Sequence, residues 1–355
     1  MRKKRIGILG ATGVVGQRHL TLLEHHPWFE VTHLAASSQS AGQLYRNSVE
    51  GRWHLNQKLP KVAGELPLHQ VGDLASAVDG CDLLFSALGG EAAAAWEERY
   101  AAAGLPVISH SATHRMASDV PLVIPEINSS HLARIEEQKR RRGWDQGFIV
   151  AKPNCSIQSY LLPLFALHQK FRLRHIAVTT MQALSGAGYP GVAASDILAN
   201  VIPFIRGEEE KSQLEPRKIL GSWTEAGFMP SEEFTITAHC NRVPVLDGHM
   251  ACVSFSCQVA PTRDEILELW HTFRAEPQLR QLPTAPAKPL LVAEEEARPQ
   301  PRLDAEREGG MAVIVGRLRP DPLFQWKFVG LSHNAVRGAA GGALLVAELL
   351  HLYGY

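Results

Sequence analysis

The segment "KPNCS" at residues 152–156 follows the apolar run "FIV" and precedes "IQSYLLPLFAL", so Cys155 stands at a strand-to-helix junction behind a proline and an asparagine. The first turn of a helix offers unpaired N–H groups and the positive end of a dipole, which stabilise a thiolate. The same N–H groups can hold a developing oxyanion. The competing reading is a small apolar side chain that fills a turn. Far downstream, "HCNRVPVLDGHM" carries His239, Arg242, Asp247 and His249. An imidazole can exchange a proton with a thiol, and a guanidinium can grip a carboxylate through two parallel hydrogen bonds. A strand pair joined by the "PVLDG" turn would aim Arg242 and His249 into one pocket. The competing reading for His249 is a turn histidine with a satisfied ring.

Two further segments belong with these. "RGEEEKSQLEPRKIL" holds Glu208, Glu209, Glu210, Lys211 and Lys218, a charge run whose default is a solvated helix face. "MQALSGAGYPG" sets Gln182 between a strand and a glycine-rich loop. His239, Cys240, His249, Cys252 and Cys257 contain no CxxC pair and fit no zinc template, so no metal is expected.

Near the start, the buried-strand pattern "RIGIL" runs into "GATGVVG" and the helical "QRHLTLLEHH". Gly10, Gly13 and Gly16 form a G-x-x-G-x-x-G turn. Glycine permits the tight bend and a close approach of backbone to a pyrophosphate, which the helix N-terminus attracts. An ordinary βα turn packed through small residues is the alternative. After the second strand, "FEVTHLAAS", a carboxylate would read a ribose 2′-OH and favour NAD. Here stand Ser37, Ser38 and Ser40 with no acid, which inclines the reading to NADP; Arg46 is the nearest basic residue.

Strand–helix alternation continues through "CDLLFSAL", "GGEAAAAWEERYAAAG" and "LPVISHS", which predicts a parallel sheet with crossover helices. "VPLVIPEIN" reads as extended, and "IEEQKRRRGWDQG" as a solvated helix end. From residue 151 the composition shifts. "RHIAVTTMQALS" and "MACVSFSCQVA" alternate as antiparallel strands do. "SDILANVIPFI" and "RDEILELWHTFRAE" read as helices, and Pro163 predicts a kink or restart in the helix after Cys155. "LPTAPAKPLLVAEEEARPQPRLDAEREGG" reads as a long surface excursion, "AVIVGRLRP" with "QWKFVGLSH" as a closing hairpin, and "NAVRGAAGGALLVAELLHLYG" as a final amphipathic helix.

The 355 residues suit two domains, with 45% hydrophobic and 20% charged residues. Lys+Arg and Asp+Glu are both 36, which gives no electrostatic reason to expect nucleic acid or an anionic membrane. No apolar run approaches the roughly 20 residues of a membrane span. Five sparse cysteines fit reduced thiols and a cytoplasmic location.

Taken in order, "GATGVVGQR", "KPNCS", "MQALSGAGYPG", "NVIPFIRGEEEK", "HCNRVPVLDGH" and "LSHNAVRGAAGGA" resemble the aspartate-β-semialdehyde dehydrogenases, most closely the archaeal and fungal branch. The resemblance spans almost the whole chain. It implies reduction of L-aspartyl-4-phosphate to aspartate 4-semialdehyde with NADPH and release of phosphate, a step toward lysine, threonine and methionine. NAD is the second cofactor choice. Cys155 would form the thioacyl intermediate, His249 serve as acid/base, and Gln182 position the intermediate. Arg242 would hold the substrate carboxylate, Glu208 and Lys211 its amino and phosphate groups, and Arg115 the phosphate. Gly10, Thr12, Gly13, Val14, Gly16, Ser37, Ser38, Gly186 and Asn334 would line the dinucleotide.

The implied fold is α/β: an N-terminal Rossmann domain (1–152, completed by a helix at 334–355) and an α+β catalytic and dimerisation domain (153–333) with a mostly antiparallel sheet. A homodimer or homotetramer is expected. Three stretches depart from the family pattern: Gln39, Gln43 and Leu44 where basic residues are common, Ile157 where threonine is usual, and His110 where asparagine is common. Malonyl-CoA reductase and N-acetylglutamyl-phosphate reductase are rival activities on the same fold. A non-catalytic redox regulator is the rival of another class.

Overall fold

A computed structural model describes residues 2–355, which divide into two compact units. The first comprises residues through Val123, Ser130–Pro153 and Ala343–Tyr355; the second comprises Ile124–Ser129 and Asn154–Gly342.

The first unit is built on six parallel strands: β1 (Lys4–Leu9), β2 (Phe29–Ala36), β3 (Leu68–Gln70), β4 (Leu83–Ser86), β5 (Val107–Ser109) and β6 (Ile149–Ala151). Their order is β3-β2-β1-β4-β5-β6, the doubly wound arrangement. Such strands are covered on both faces, and Ile6, Ile8, Leu34, Leu84, Phe85, Ile108 and Ile149 are fully buried accordingly. The strand order reverses beside β1, so the glycine-rich turn at its C-terminal end lies where dinucleotides bind in this architecture.

The second unit carries a mixed, mostly antiparallel sheet. Its strands are β7 (Leu173–Gln182), β10 (Thr235–Arg242), β11 (His249–Cys257), β12 (Leu290–Ala293), β13 (Val313–Pro320) and β14 (Trp326–Ser332), in the order β10-β7-β11-β14-β13-β12. A small hairpin, β8 (Ser222–Thr224) with β9 (Gly227–Met229), stands apart. The expected hairpin of β13 with β14 is present.

Several local expectations change. The second half of "VPLVIPEIN" is a helical turn, Pro125–Asn128, started by a proline at a position where no N–H is needed. In "SDILANVIPFI" only Ala194–Ile197 is helical, and Leu198, Val201 and Phe204 are exposed. The proline-rich excursion contributes β12, which pairs in parallel with β13. The helix Leu161–Phe171 begins after a break at Tyr160 (φ −136°), and Pro163 sits in its first turn without kinking it. The final helix is Gly341–Leu352, preceded by the wide turn Val336–Ala340. It is apolar all round rather than amphipathic, and its one acid, Glu348, is buried against His26 at 2.9 Å.

Candidate active site

Cys155 opens a single 3-10 turn, Ser156–Ser159, rather than the first turn of a long helix. Asn154 fixes that turn: its Oδ1 accepts from both the amide and the hydroxyl of Ser156 at 2.8 Å, and its own amide donates to Glu215 Oε2 at 2.7 Å. Sγ of Cys155 lies 3.3 Å from Nε2 of His249.

Strand topology explains how residues so far apart in sequence converge. β10 runs parallel to β7 and β11 antiparallel to it, so β7 lies between them. The last residues of β7 and β10, Gln182 and Arg242, are partners in register, and His249 begins β11 at the same end. Arg242 and His249 therefore do not sit on one hairpin, as their spacing predicts. The main chain of Ala183 joins them instead. Its amide donates to His249 Nδ1 at 3.0 Å and its carbonyl accepts from Arg242 Nη1 at 2.7 Å.

This fixes the tautomer of His249. A neutral imidazole has one N–H, and Nδ1 is occupied as an acceptor, so the proton is on Nε2 and faces Sγ. The side chain is fully buried. Burial, with Arg242 and His333 nearby, pushes its pKa down to about 3. Burial also holds Arg242 below its ordinary value.

Glu208 faces inward from the helix Glu208–Ile219, so the charge run is not a wholly solvated face. Its carboxylate accepts from Asn154 Nδ2 (2.8 and 3.0 Å), Gln182 Nε2 (3.1 Å) and Lys211 Nζ (2.9 Å). Asn334 bridges two loops, accepting from the Gly248 amide at 2.8 Å and donating to Ser185 Oγ at 2.7 Å. Gly186 is required by close approach, since a Cβ there would come within 2.9 Å of the His249 ring.

Asn154, Glu215, Ala183 and Gly338 escape the sequence reading. A Cβ on Gly338 would lie 2.8 Å from Cβ of Cys155. The turn carrying Gly338 is anchored by Arg337, which pairs bidentately with Glu126 at 2.6 and 2.9 Å, donates to the Met311 carbonyl at 3.0 Å, and reaches Gln158 at 3.3 Å. The glycine-rich "NAVRGAAGG" is the only signal for it, and nothing local marks Glu126 as the partner. Ile157, where the family pattern usually has threonine, is fully buried two residues after Cys155.

The remaining site residues belong to the first unit. Gly10 has φ +75° and a Cβ there would strike the Ala87 carbonyl at 2.7 Å; one on Gly16 would strike the Gly10 carbonyl at 2.5 Å. Gly13 caps the helix Val14–Leu23 with no side chain in the way, which leaves its N-terminus for a phosphate. The Thr12 carbonyl accepts from Gln17. Ser37 and Ser38 are exposed just beyond β2. These features fit a dinucleotide. Arg46, the nearest basic residue in sequence, is ion-paired with Glu65. Arg115 is buried and donates to the His110 carbonyl at 2.7 Å, and His110 Nε2 meets His19 Nε2 at 2.8 Å. Arg115 is thus placed in the first unit, whereas Cys155, Gln182, Glu208, Lys211, Arg242, His249 and Asn334 share the second.

Residues 5–135 match the semialdehyde dehydrogenase NAD binding domain, and residues 164–337 match the semialdehyde dehydrogenase dimerisation domain. The chain is 45% identical over 348 residues to the aspartate-semialdehyde dehydrogenase of Methanothermobacter thermautotrophicus, covering 98% of both chains. It is 42% identical over 355 residues to that of Schizosaccharomyces pombe, again covering 98% of both. Among solved structures, Candida albicans aspartate semialdehyde dehydrogenase with NADP superposes with a TM-score of 0.89 at 37% identity, covering 98% of each chain.

Proposed function

Because this chain belongs to the aspartate-semialdehyde dehydrogenase family, we propose that it catalyses the NADP-dependent, phosphorylating interconversion of aspartate 4-semialdehyde and L-aspartyl-4-phosphate through a thioester on Cys155. The observation that carries the reading is the 3.3 Å contact of Sγ with the Nε2–H of His249 at a sheet end that also presents Arg242. In the biosynthetic direction the thiolate forms a C–S bond to the acyl carbon as the C–O bond to phosphate breaks. The dinucleotide, when bound, supplies the hydride that reduces the thioester. Cleavage of the C–S bond then frees the aldehyde and returns the thiolate.

His249 enters this cycle as a donor. Its Nε2–H supports negative charge on Sγ and on the oxygen of the tetrahedral adduct. Taking a second proton requires it to give up the Ala183 bond. Arg242, with Nη1 held on Ala183, keeps its other N–H groups for the substrate carboxylate. Glu208 is engaged by Asn154, Gln182 and Lys211, so its part is to hold those three donors in place, with Lys211 the one able to turn to phosphate. Gln182 and Asn154 thereby keep the nucleophile turn and the end of β7 in register.

The chain works as a homodimer or homotetramer joined through the second unit. Its match to a dimerisation domain supports this, as do the exposed apolar side chains of Tyr189, Leu198, Val201 and Phe204 in that unit. No helix among the described residues is long and apolar enough to cross a membrane, and none of the five cysteines is in a disulfide. Both fit a cytoplasmic enzyme.

The test is the reverse reaction: protein, aspartate semialdehyde and phosphate with NADP or NAD, following reduced cofactor. Phosphate-dependent turnover that disappears in Cys155→Ala supports the assignment. Turnover only with malonate semialdehyde and coenzyme A moves it to a malonyl-CoA reductase, and turnover unaffected by Cys155→Ala overturns the covalent mechanism.

A further inference from the structure

The loop after β2 has no basic residue between Ser37 and Tyr45, yet a cation is delivered to it from further along the chain. Arg52 Nη2 stands 3.5 Å from Ser40 Oγ and also donates to the Ser48 carbonyl. Its Nε and Nη1 donate to no group among the described residues, and the side chain is exposed.

The segment that carries Arg52 is strapped to both halves of the dinucleotide site. Gln17, fully buried on the helix Val14–Leu23, donates to the Thr12 carbonyl at 3.0 Å and to the Arg52 carbonyl at 2.7 Å. Its Oε1 accepts from the His54 amide at 2.9 Å. Tyr45, also buried, donates its hydroxyl to the Ala11 carbonyl at 2.8 Å. Ser48 Oγ donates to the Ser40 carbonyl at 3.1 Å. The Arg52 backbone is therefore fixed relative to the glycine-rich turn, and its guanidinium to the loop that closes β2. The Ser37 carbonyl accepts from the Ser40 and Ala41 amides, so Ser37 and Ser38 lie on the same tight turn as Ser40.

In this architecture the group beyond the second strand decides between a ribose 2′-OH and a 2′-phosphate, with arginine accommodating the phosphate. Arg46 is neutralised by Glu65, whereas Arg52 keeps free donors. We infer that Arg52, with the hydroxyls of Ser37 and Ser38, binds the 2′-phosphate of NADP(H) and sets the preference over NAD(H). This rests on the dinucleotide reading above. It replaces, from outside the loop, the basic side chain missing at Gln39 and Gln43.

The experiment is equilibrium binding of NADPH and of NADH, followed by quenching of tryptophan fluorescence, for the unaltered chain, Arg52→Gln and Arg52→Lys. A charge-assisted phosphate contact predicts that Arg52→Gln raises the NADPH Kd about tenfold to a hundredfold. The NADH Kd stays within about twofold, because that ligand has no 2′-phosphate for the guanidinium to hold. Arg52→Lys recovers part of the loss, and 2′,5′-ADP displaces NADPH from the unaltered chain far better than from Arg52→Gln. Equal weakening of both dinucleotides, no change in either, or no preference in the unaltered chain overturns the assignment. The readout is binding, so a chain that binds NADPH but does not turn over aspartate semialdehyde defeats the proposed reaction without touching Arg52. A chain that binds neither dinucleotide defeats both.

Discussion

The amide of Ala183 donates to Nδ1 of His249 at 3.0 Å, so the imidazole that faces Cys155 is locked as its Nε2–H tautomer. A backbone N–H does not titrate, and only a proline would remove it. The histidine is held neutral by geometry as well as by burial, and it confronts the sulfur as a hydrogen-bond donor.

Replacement of His249 tests this directly. His249→Ala is expected to lower kcat about 10²–10³-fold with little change in KM, the scale of losing one preorganised donor. His249→Gln, which can still donate, should retain more activity. With its pKa pushed down to about 3, His249 contributes no ionisation to the kcat/KM profile between about pH 5 and 8. An acid limb near the ordinary histidine value that vanishes in His249→Gln would refute the locked tautomer.

Gly338 is expected to accept no side chain. The Cβ of Gly338→Ala would meet Cβ and the backbone of Cys155, neither of which can swing aside. Overpacking of this kind costs about 1–3 kcal/mol, and displacement of Cys155 by about 1 Å is expected to lower kcat about a hundredfold. Urea unfolding and steady-state kinetics measure the two. A variant with normal kcat would show that the turn yields without moving Cys155.

Arg337 and Glu126 form a buried bidentate pair. Arg337→Ala leaves Glu126 charged and unpaired, which costs about 3–5 kcal/mol. Arg337→Lys cannot restore two parallel bonds and recovers little. Denaturation midpoints decide; a loss below 1 kcal/mol in Arg337→Ala would contradict the pairing.

Acid should destabilise the fold through its buried imidazoles. His19 and His249 are pushed down to about 3 and His110 well below its ordinary value, in each case chiefly by burial. Their folded values lie below the unfolded value near 6.5, so between the two the unfolded chain binds more protons. Stability is then full above about pH 6.5 and falls as pH drops, by an amount on the order of 1 kcal/mol per pH unit for each group. The urea midpoint at pH 5 should lie below that at pH 7.5. An equal or higher midpoint at pH 5 would rule this out.

The α/β alternation of the first unit was legible because most of its parallel strands are short apolar runs, as at "RIGIL" before Gly10; β3, Leu-His-Gln, is not one and went unread. The candidate nucleophile was legible because Cys155 stands at the junction of a strand and the helical turn that follows it. Strand neighbours were not. Nothing between Arg242 and His249 announces that β7 lies between their strands, because the partner is some sixty residues away in sequence. Residue types alone did not single out Glu208 in its run of three glutamates; the family resemblance did, and burial selects the same one. Arg52 was invisible as a loop cation because Gln17, whose side chain brings it to the glycine turn, lies 35 residues before it. Local pattern encodes which face is apolar; it does not encode which distant polar groups close a ring of hydrogen bonds.

The division of the chain also governs its synthesis. Both units are discontinuous: the second borrows Ile124–Ser129 from the midst of the first, and the first takes its last helix from Ala343–Tyr355. His26, in the segment leading into β2, finds its buried partner Glu348 322 residues later. At roughly 5–20 residues per second a ribosome needs on the order of tens of seconds to deliver that partner. During that interval the nucleotide unit has its strands but lacks the segment that carries Glu348. The apolar surface that Leu344, Leu345, Val346 and Leu349 will later bury is then open to other chains. Emergence of Ala343–Tyr355, rather than of the first 150 residues, is the event that closes this unit.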